Sequence, residues 1–255
     1  MKIEEYRHMS DVEDKMWWYR NLHENLLVSL KNFGTTAIVS GQKRPVIFDA
    51  GCGTGGFLST LHEHWPTASL FGLDISPEAL DIAHKKTGAT LVLGSVNEIP
   101  FPNEKFDIVI CADVLYHKNV EEGQAASELF RCVSKGGVCI VNLPAYGWLR
   151  SYHDKQVGGV RRYTLGKAKS LMSSVGFEIK FSTYWNSVLF PLMVAKRKLL
   201  HGKQNHTSDV KLMPESIERL FYRLAGLERF ALANGIPLPY GGSVLIVCQK
   251  MTGGV

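Results

Sequence analysis

The sequence predicts an α/β protein with a doubly wound parallel sheet, and three observations carry that prediction. Strand-like and helix-like patterns alternate through residues 46–143, an apolar run empties into a turn almost bare of side chains at 51–56, and a second apolar run ends on an acid, Asp74. Such alternation sets helices on both faces of a parallel sheet. The bare turn and the acid mark the edge where a ligand would lie.

Taken in order, residues 10–31 read as one helix, because Trp17, Trp18, Leu22, Leu26, Leu27 and Leu30 recur at helical spacing. Residues 33–45 are a connector. Val46-Ile47-Phe48-Asp49-Ala50 is the first strand, and Phe57-Leu58-Ser59-Thr60-Leu61 opens the helix after the turn. A strand over 68–73 follows, then a helix over 77–86, which Ser76 caps and Pro77 opens. Strands are expected at 90–93 and 107–112, a helix at 121–133, a strand at 137–143, a helix at 164–174, which Thr164 can cap, and a strand at 177–184. Residues 185–235 carry helical patterning only, and Gly242 to Cys248 is the last strand. The chain therefore divides into an N-terminal helical cap, 1–40, and a core, 41–255, with a helical insertion at 185–235.

At 255 residues the chain is long enough for a sizeable core without staples. A net charge of +5 is too small to demand nucleic acid, which favours a soluble enzyme of cytoplasmic type. The five cysteines, at 52, 111, 132, 139 and 248, form no close pair and fall in or beside strands, as reduced buried thiols do. The polar N-terminus offers no apolar run for a signal peptide, and the apolar stretch 188–195 is broken by Pro191 and too short to span a bilayer.

Four glycines within 51–56 let the backbone take dihedrals closed to other residues and let a ligand approach the main-chain N–H groups. Gly51-x-Gly53-x-x-Gly56 follows a strand, opens a helix and precedes an acid by about 20 residues, so it fits the dinucleotide fingerprint, with Asp74 placed to accept from ribose hydroxyls. Asp49 changes the reading. An acid just ahead of the first glycine repels a pyrophosphate and suits the cationic amino group and sulfonium of S-adenosylmethionine.

Asp49 to Gly55, Asp74, Ile99-Pro100-Phe101, Phe106-Asp107 and Ser134-Lys135-Gly136-Gly137 stand in an order that resembles the class I S-adenosylmethionine-dependent methyltransferases, in the group of ubiquinone/menaquinone-type and natural-product enzymes. The resemblance covers about residues 46 to 143. It implies a Rossmann-like seven-stranded sheet whose last strand runs antiparallel between the fifth and sixth. It also implies S-adenosylmethionine as methyl donor, with S-adenosylhomocysteine as product and no metal.

By position, the resemblance gives the methionyl end to Asp49 and to Gly51, Cys52, Gly53 and Gly55, the ribose to Asp74, and one adenine face to Ile75. Ser95 and Val96 stand where many relatives carry an acid for the adenine amino group; serine cannot supply that charge, so the contact is either lost here or moved to the Val96 main chain. Ala112 and Asp113, at the end of the fourth strand, should face cofactor and acceptor, since ligands in open α/β sheets lie outside the carboxyl ends of the strands. Asp113 is read as a catalytic candidate and equally as a cap for the turn that follows. His117 follows the family's usual histidine and is a lesser candidate base.

The stretch 143–154, after the fifth strand, is long for a loop and carries Tyr152, His153 and Asp154. His153 has the pKa range of a general base. Arg161 and Arg162, with Tyr163 beside them, can grip a carboxylate or phosphate bidentately, or can instead fasten the loop through Asp154. Of the paired tryptophans, one is expected to staple the helix and the other, Trp18, to close the pocket over the sulfonium. Trp185 to Leu200 joins apolar residues to Lys196-Arg197-Lys198. It is read as a lid or a homodimer helix in preference to a membrane-surface segment.

The expected activity is in-line methyl transfer to a small, partly apolar, anionic acceptor. Two rivals remain open to the sequence: a nicotinamide-dependent oxidoreductase, which Asp49 disfavours, and a non-catalytic S-adenosylmethionine-binding regulator.

Overall fold

In the computed structural model, which describes residues 3–34, 44–199 and 212–252, successive side chains along the central strands enter opposite cores. Phe48, Val109, Val244 and Ile246 join one cluster with the helix residues Ala125, Leu129, Ala168 and Met172. Ile47, Ile108, Ile110, Leu245 and Val247 join a second with Leu26, Leu30, Leu58 and Leu61. This near-continuous apolarity is what a sheet covered on both faces requires.

The strands are β1 (Val46–Ala50), β2 (Ser69–Asp74), β3 (Thr90–Leu93), β4 (Phe106–Ala112), β5 (Val133–Pro144), β6 (Glu178–Trp185) and β7 (Ser243–Gln249). Their order across the sheet is β3-β2-β1-β4-β5-β7-β6. The first five strands pair in parallel, and β7 runs antiparallel to both β5 and β6, as the resemblance implied. Strand order reverses between β1 and β4. Their carboxyl ends therefore open the crevice in which such sheets bind ligands.

Around the sheet lie α1 (Ile3–Val12), α2 (Trp17–Phe33), α3 (Gly56–His64), α4 (Pro77–Lys86), α5 (Glu122–Cys132), α6 (Tyr152–Val157), α7 (Leu165–Ser174), α8 (Phe190–Leu199) and α9 (Glu215–Ala233). Ser76 Oγ accepts the Ala79 N–H at the start of α4, and Thr164 Oγ1 accepts the Lys167 N–H at the start of α7, the caps that the sequence predicts.

Three expectations need correction. The single helix over 10–31 is two helices meeting near residues 13–16, because Glu13 turns inward to Thr54 and Lys86 and Met16 is buried. The strand expected from 137 begins at Val133. Its Ser134 to Gly137 turn survives as an irregularity, where Phe106 pairs with Val133 but Ile108 with Val138. Trp17 staples its helix not to the sheet but to α9, edge-on to Phe221 at 5.6 Å.

The insertion after β6 packs along the N-terminal helix. Asn32 donates to the carbonyls of Leu232 and Ala233 near the end of α9, and the Arg20 guanidinium lies 3.9 Å from the Tyr222 ring. The middle of the predicted connector, 35–43, and residues 200–211 of the insertion lie outside the described residues. All five cysteines are buried and unpaired. No helix among the described residues is long and apolar enough to cross a membrane.

Candidate active site

The turn after β1 is held open by its glycines. Gly51, Gly53 and Gly55 have φ of +95°, +52° and +82°, in the left-handed region that favours glycine. At Gly51 space is the second constraint, since a Cβ would lie 2.2 Å from Val114 Cγ2. The turn is tied to β2 from below: Gly51 and Cys52 N–H donate to the Leu73 carbonyl at 2.7 and 2.9 Å. The Gly53 N–H donates to Asp74 Oδ2 at 2.9 Å.

Asp74 thus does structural work as well. Its Oδ1 accepts from the Ser76 N–H at 2.9 Å and from the Tyr6 hydroxyl at 3.3 Å. Burial raises its carboxyl above the ordinary range, and the N–H donors oppose that rise. Ile75, next in sequence, stands 61% exposed on the cavity wall.

Asp49 is 4% exposed at the end of β1. Burial first, and the neighbouring Asp74 charge second, push it up to about 7. Among the described residues no cation pairs with it. A buried acid in that state, bordering a cavity beside the glycine turn, calls for a cationic ligand group.

That cavity measures about 1330 Å³ and runs from the glycine turn to α8 and α9. Pockets for one small ligand occupy roughly 300–1,000 Å³. There is room for a cofactor and an acceptor side by side. Its wall includes Asp49, Gly51, Cys52, Gly53, Asp74, Ile75, Ser95, Val96, Ala112, Asp113, His117, Trp18, Tyr152, His153 and Arg162, all singled out in the sequence.

Three sequence candidates do not border it. Gly55 faces α4, where a Cβ would lie 2.9 Å from the Ala83 methyl. Arg161 turns its guanidinium to the carbonyls of His117 and Val120 at 2.9 and 2.5 Å. Tyr163 is fully buried, with its hydroxyl donating to Glu122 at 2.6 Å. Arg162 does reach the wall, but its guanidinium is engaged by Asp154 at 2.8 and 3.0 Å and by the Ala145 carbonyl at 2.9 Å. Burial works to raise Asp154, and the Arg162 pairing outweighs it, so Asp154 sits below its ordinary value.

At the end of β4, Asp113 has φ +55°, a strained conformation for a side-chain-bearing residue. Burial pushes its carboxyl up to about 7 against the Asn142 hydrogen bond and the Arg162 charge. His117 stacks on Tyr116 at 4.3 Å, and burial pushes its imidazole down to about 4, so it is neutral near pH 7. The turn after Asp113 closes through the His117 N–H and the Val114 carbonyl at 3.1 Å.

The sequence reading missed α1. Tyr6 meets Asp74, Met9 Cε would lie 3.0 Å from a Cβ on Gly53, and the buried Glu13 accepts from the Thr54 hydroxyl at 2.8 Å beside Gly56. Lys86 fastens Glu13 from α4 at 2.5 Å. No motif marks these residues, because a cap is recognised by what it covers.

Residues 47–137 match the family model described as a methyltransferase domain. The chain is 37% identical over 91 residues to a malonyl-(acyl-carrier protein) O-methyltransferase of Herminiimonas arsenicoxydans, covering 36% of this chain and 34% of that one. It is 31% identical over 96 residues to a demethylmenaquinone methyltransferase of Deinococcus radiodurans, covering 36% and 39%. The matched stretches thus span little more than a third of these relatives' length. In fold it superposes with a TM-score of 0.63, at 17% identity and 97% and 94% coverage, on a structure described as the Haloferax volcanii Trm112 methyltransferase activator in complex with the putative methyltransferase.

Proposed function

We propose that this protein, whose residues 47–137 match a methyltransferase domain, transfers a methyl group from S-adenosylmethionine to a small, partly apolar, anionic acceptor. The observation that carries the reading is Asp49: a buried carboxylate without a protein cation, bordering the cavity next to three positive-φ glycines. The residues present fit the cofactor. Asp49 would take its ammonium group, the side-chain-free glycine turn would lie along its methionyl chain, Asp74 would take its ribose, and Ile75 with the Val96 main chain its adenine. When bound, S-adenosylmethionine supplies an electrophilic methyl group on a sulfonium that departs as a neutral thioether.

The chain's own task is to align, desolvate and manage one proton. Tyr6, Met9 and Glu13 seal the glycine turn from above, so the cap in this reading is α1, with α2 part of the core. Trp18 packs against Trp185 at 5.7 Å and Tyr19 at 5.1 Å on the cavity wall, offering aromatic faces toward a cation. Asp113, His117 and His153 are the candidate bases. Of these, the value of about 7 at Asp113 matches the task and the value of about 4 at His117 does not.

The acceptor end of the cavity is apolar, with Leu189, Leu192 and Met193 on the insertion side and Tyr152 and Trp148 opposite. Lys118, Lys155 and Lys196 also border it. With Arg161 and Arg162 engaged by protein groups, Lys118 and Lys155 are the residues offered to an anionic acceptor. The segment 185–199 serves as a wall of the acceptor site. A screen of amphiphilic hydroxy, amino and phosphate compounds, with S-adenosylhomocysteine release as readout, tests the reading. Turnover of an apolar anion supports it, and turnover of nucleic acid alone contradicts it.

A further inference from the structure

Behind Asp113 lies a hydrogen-bonded pair of residues on β5 and β6. Asn142, fully buried on β5, donates from Nδ2 to Asp113 Oδ2 at 2.9 Å, and its Oδ1 accepts from Trp185 Nε1 at 2.7 Å. The Asn142 carbonyl also accepts the Asp113 N–H at 2.9 Å, so backbone and side chain clamp the same residue. The ends of β4, β5 and β6 are joined by one line of hydrogen bonds.

The direction of that line follows from chemistry. An indole N–H is a donor only, so Trp185 forces the carboxamide oxygen toward itself. The amide NH₂ must then face Asp113. A donor fixed on Oδ2 holds that oxygen as an acceptor and favours Oδ1 as the oxygen that takes up a proton. We propose that Asn142 and Trp185 are positioning residues that present Asp113 Oδ1 as the proton acceptor of the reaction, and that the methylated atom of the acceptor is a heteroatom bearing a hydrogen, a hydroxyl or an amine.

This rests on the methyltransferase reading above. The acceptor's proton passes to Asp113 Oδ1, the carboxylate becomes a carboxylic acid, and the heteroatom keeps the electron pair that forms its new bond to carbon. A carboxylate acceptor carries no proton near neutrality and would meet a like charge at Asp113. The other groups facing Asp113 are Cys111 on its own strand, Tyr19 from α2, Tyr116 and His117 from the next turn, the latter bonded to the Asp113 main chain and held neutral near pH 7 by burial, and Arg162 from the segment before α7. Of these, Arg162 is held by Asp154 and the phenols are held neutral by burial. The orientation of the carboxyl is left to Asn142.

The test is a carboxyl-carbon NMR titration of Asp113 in the ligand-free protein, assigned with Asp113→Asn, in the parent and in Trp185→Phe and Asn142→Ala. Each variant should raise the proton affinity of Asp113 about threefold to tenfold, a midpoint shift of roughly 0.5 to 1 pH unit, while Asp49 titrates as in the parent. An Asp113 midpoint equal to the parent's in both variants overturns the proposal, as does an equal shift at Asp49. Turnover confined to carboxylate acceptors overturns it from the other side. Calorimetry with S-adenosylhomocysteine keeps the two readings apart: loss of binding in the parent would remove the methyltransferase reading without altering the titration.

Discussion

The Trp17 N–H donates to Glu218 Oε2 at 2.6 Å across 201 residues of sequence. Trp17 opens α2, whose N-cap, Met16, has no side chain able to accept a hydrogen bond. The missing cap is supplied by the insertion. A second α9 carboxylate, Glu228, accepts the Val188 N–H at 2.8 Å just ahead of α8. The insertion therefore completes the N-terminal helix and orders the acceptor wall together. Glu218→Ala should cost about 1–2 kcal/mol in chemical denaturation, the value of a lost helix cap, and lower acceptor turnover more than cofactor affinity. Unchanged stability would remove the capping role.

Cofactor affinity should depend on pH through Asp49. Its folded pKa, about 7, lies above the ordinary carboxylate value, so the folded ligand-free protein binds more protons than the unfolded chain between about pH 4 and 7. This contribution to stability is present at low pH and lost as pH rises through 7. Asp49→Asn should thus be the more stable protein at pH 8 without ligand, by up to about 4 kcal/mol, while binding S-adenosylhomocysteine poorly. Thermal melts across pH 5 to 8, with and without ligand, check both halves.

Asp74→Ala should weaken cofactor binding by roughly 1.5–3 kcal/mol, the range for a charged hydrogen-bond partner. It should also lower the melting temperature, since Gly53, Ser76 and Tyr6 lose an acceptor. Intact affinity by calorimetry would remove the ribose assignment.

Arg162→Ala leaves the buried Asp154 without its bidentate partner and should cost about 3–5 kcal/mol. Because Asp154 sits below its ordinary value, the pair's contribution is present at neutral pH and lost as pH falls through the folded pKa of Asp154. A normal melt at pH 7 with only a raised acceptor KM would restore the anion-binding role.

Amide exchange should separate the two N-terminal helices. Leu26 and Leu30 of α2 are fully buried, so its amides should exchange slowly without ligand, whereas those of α1 should slow when cofactor binds. Equal response in both helices would make the whole N-terminus one mobile cap.

Much of this was legible in the sequence because it is local. The alternation of Ile47 and Phe48 into opposite cores, the Ser76 and Thr164 caps and the glycine turn with Asp49 and Asp74 follow from spacing and from the dihedral freedom of glycine. What escaped is long-range. Whether Arg162 holds a ligand or Asp154 depends on which group burial brings within 3 Å, and the Arg162 pair closes at 2.8 Å. The partnerships of Trp17 with Glu218 and of Trp185 with Asn142 join strands and helices that have no shared pattern. Tyr6 and Glu13 read as ordinary polar residues until the cavity they cover is known.

The proposed function requires that Asp49 and the glycine turn hold a sulfonium cofactor and not a dinucleotide. Isothermal calorimetry of the purified protein with S-adenosylmethionine, S-adenosylhomocysteine and NADH tests it most directly. One site is expected for each of the first two, with their affinity lost together in Asp49→Ala, and no heat from NADH. Saturable binding of NADH, or S-adenosylmethionine affinity that is indifferent to Asp49, would contradict it.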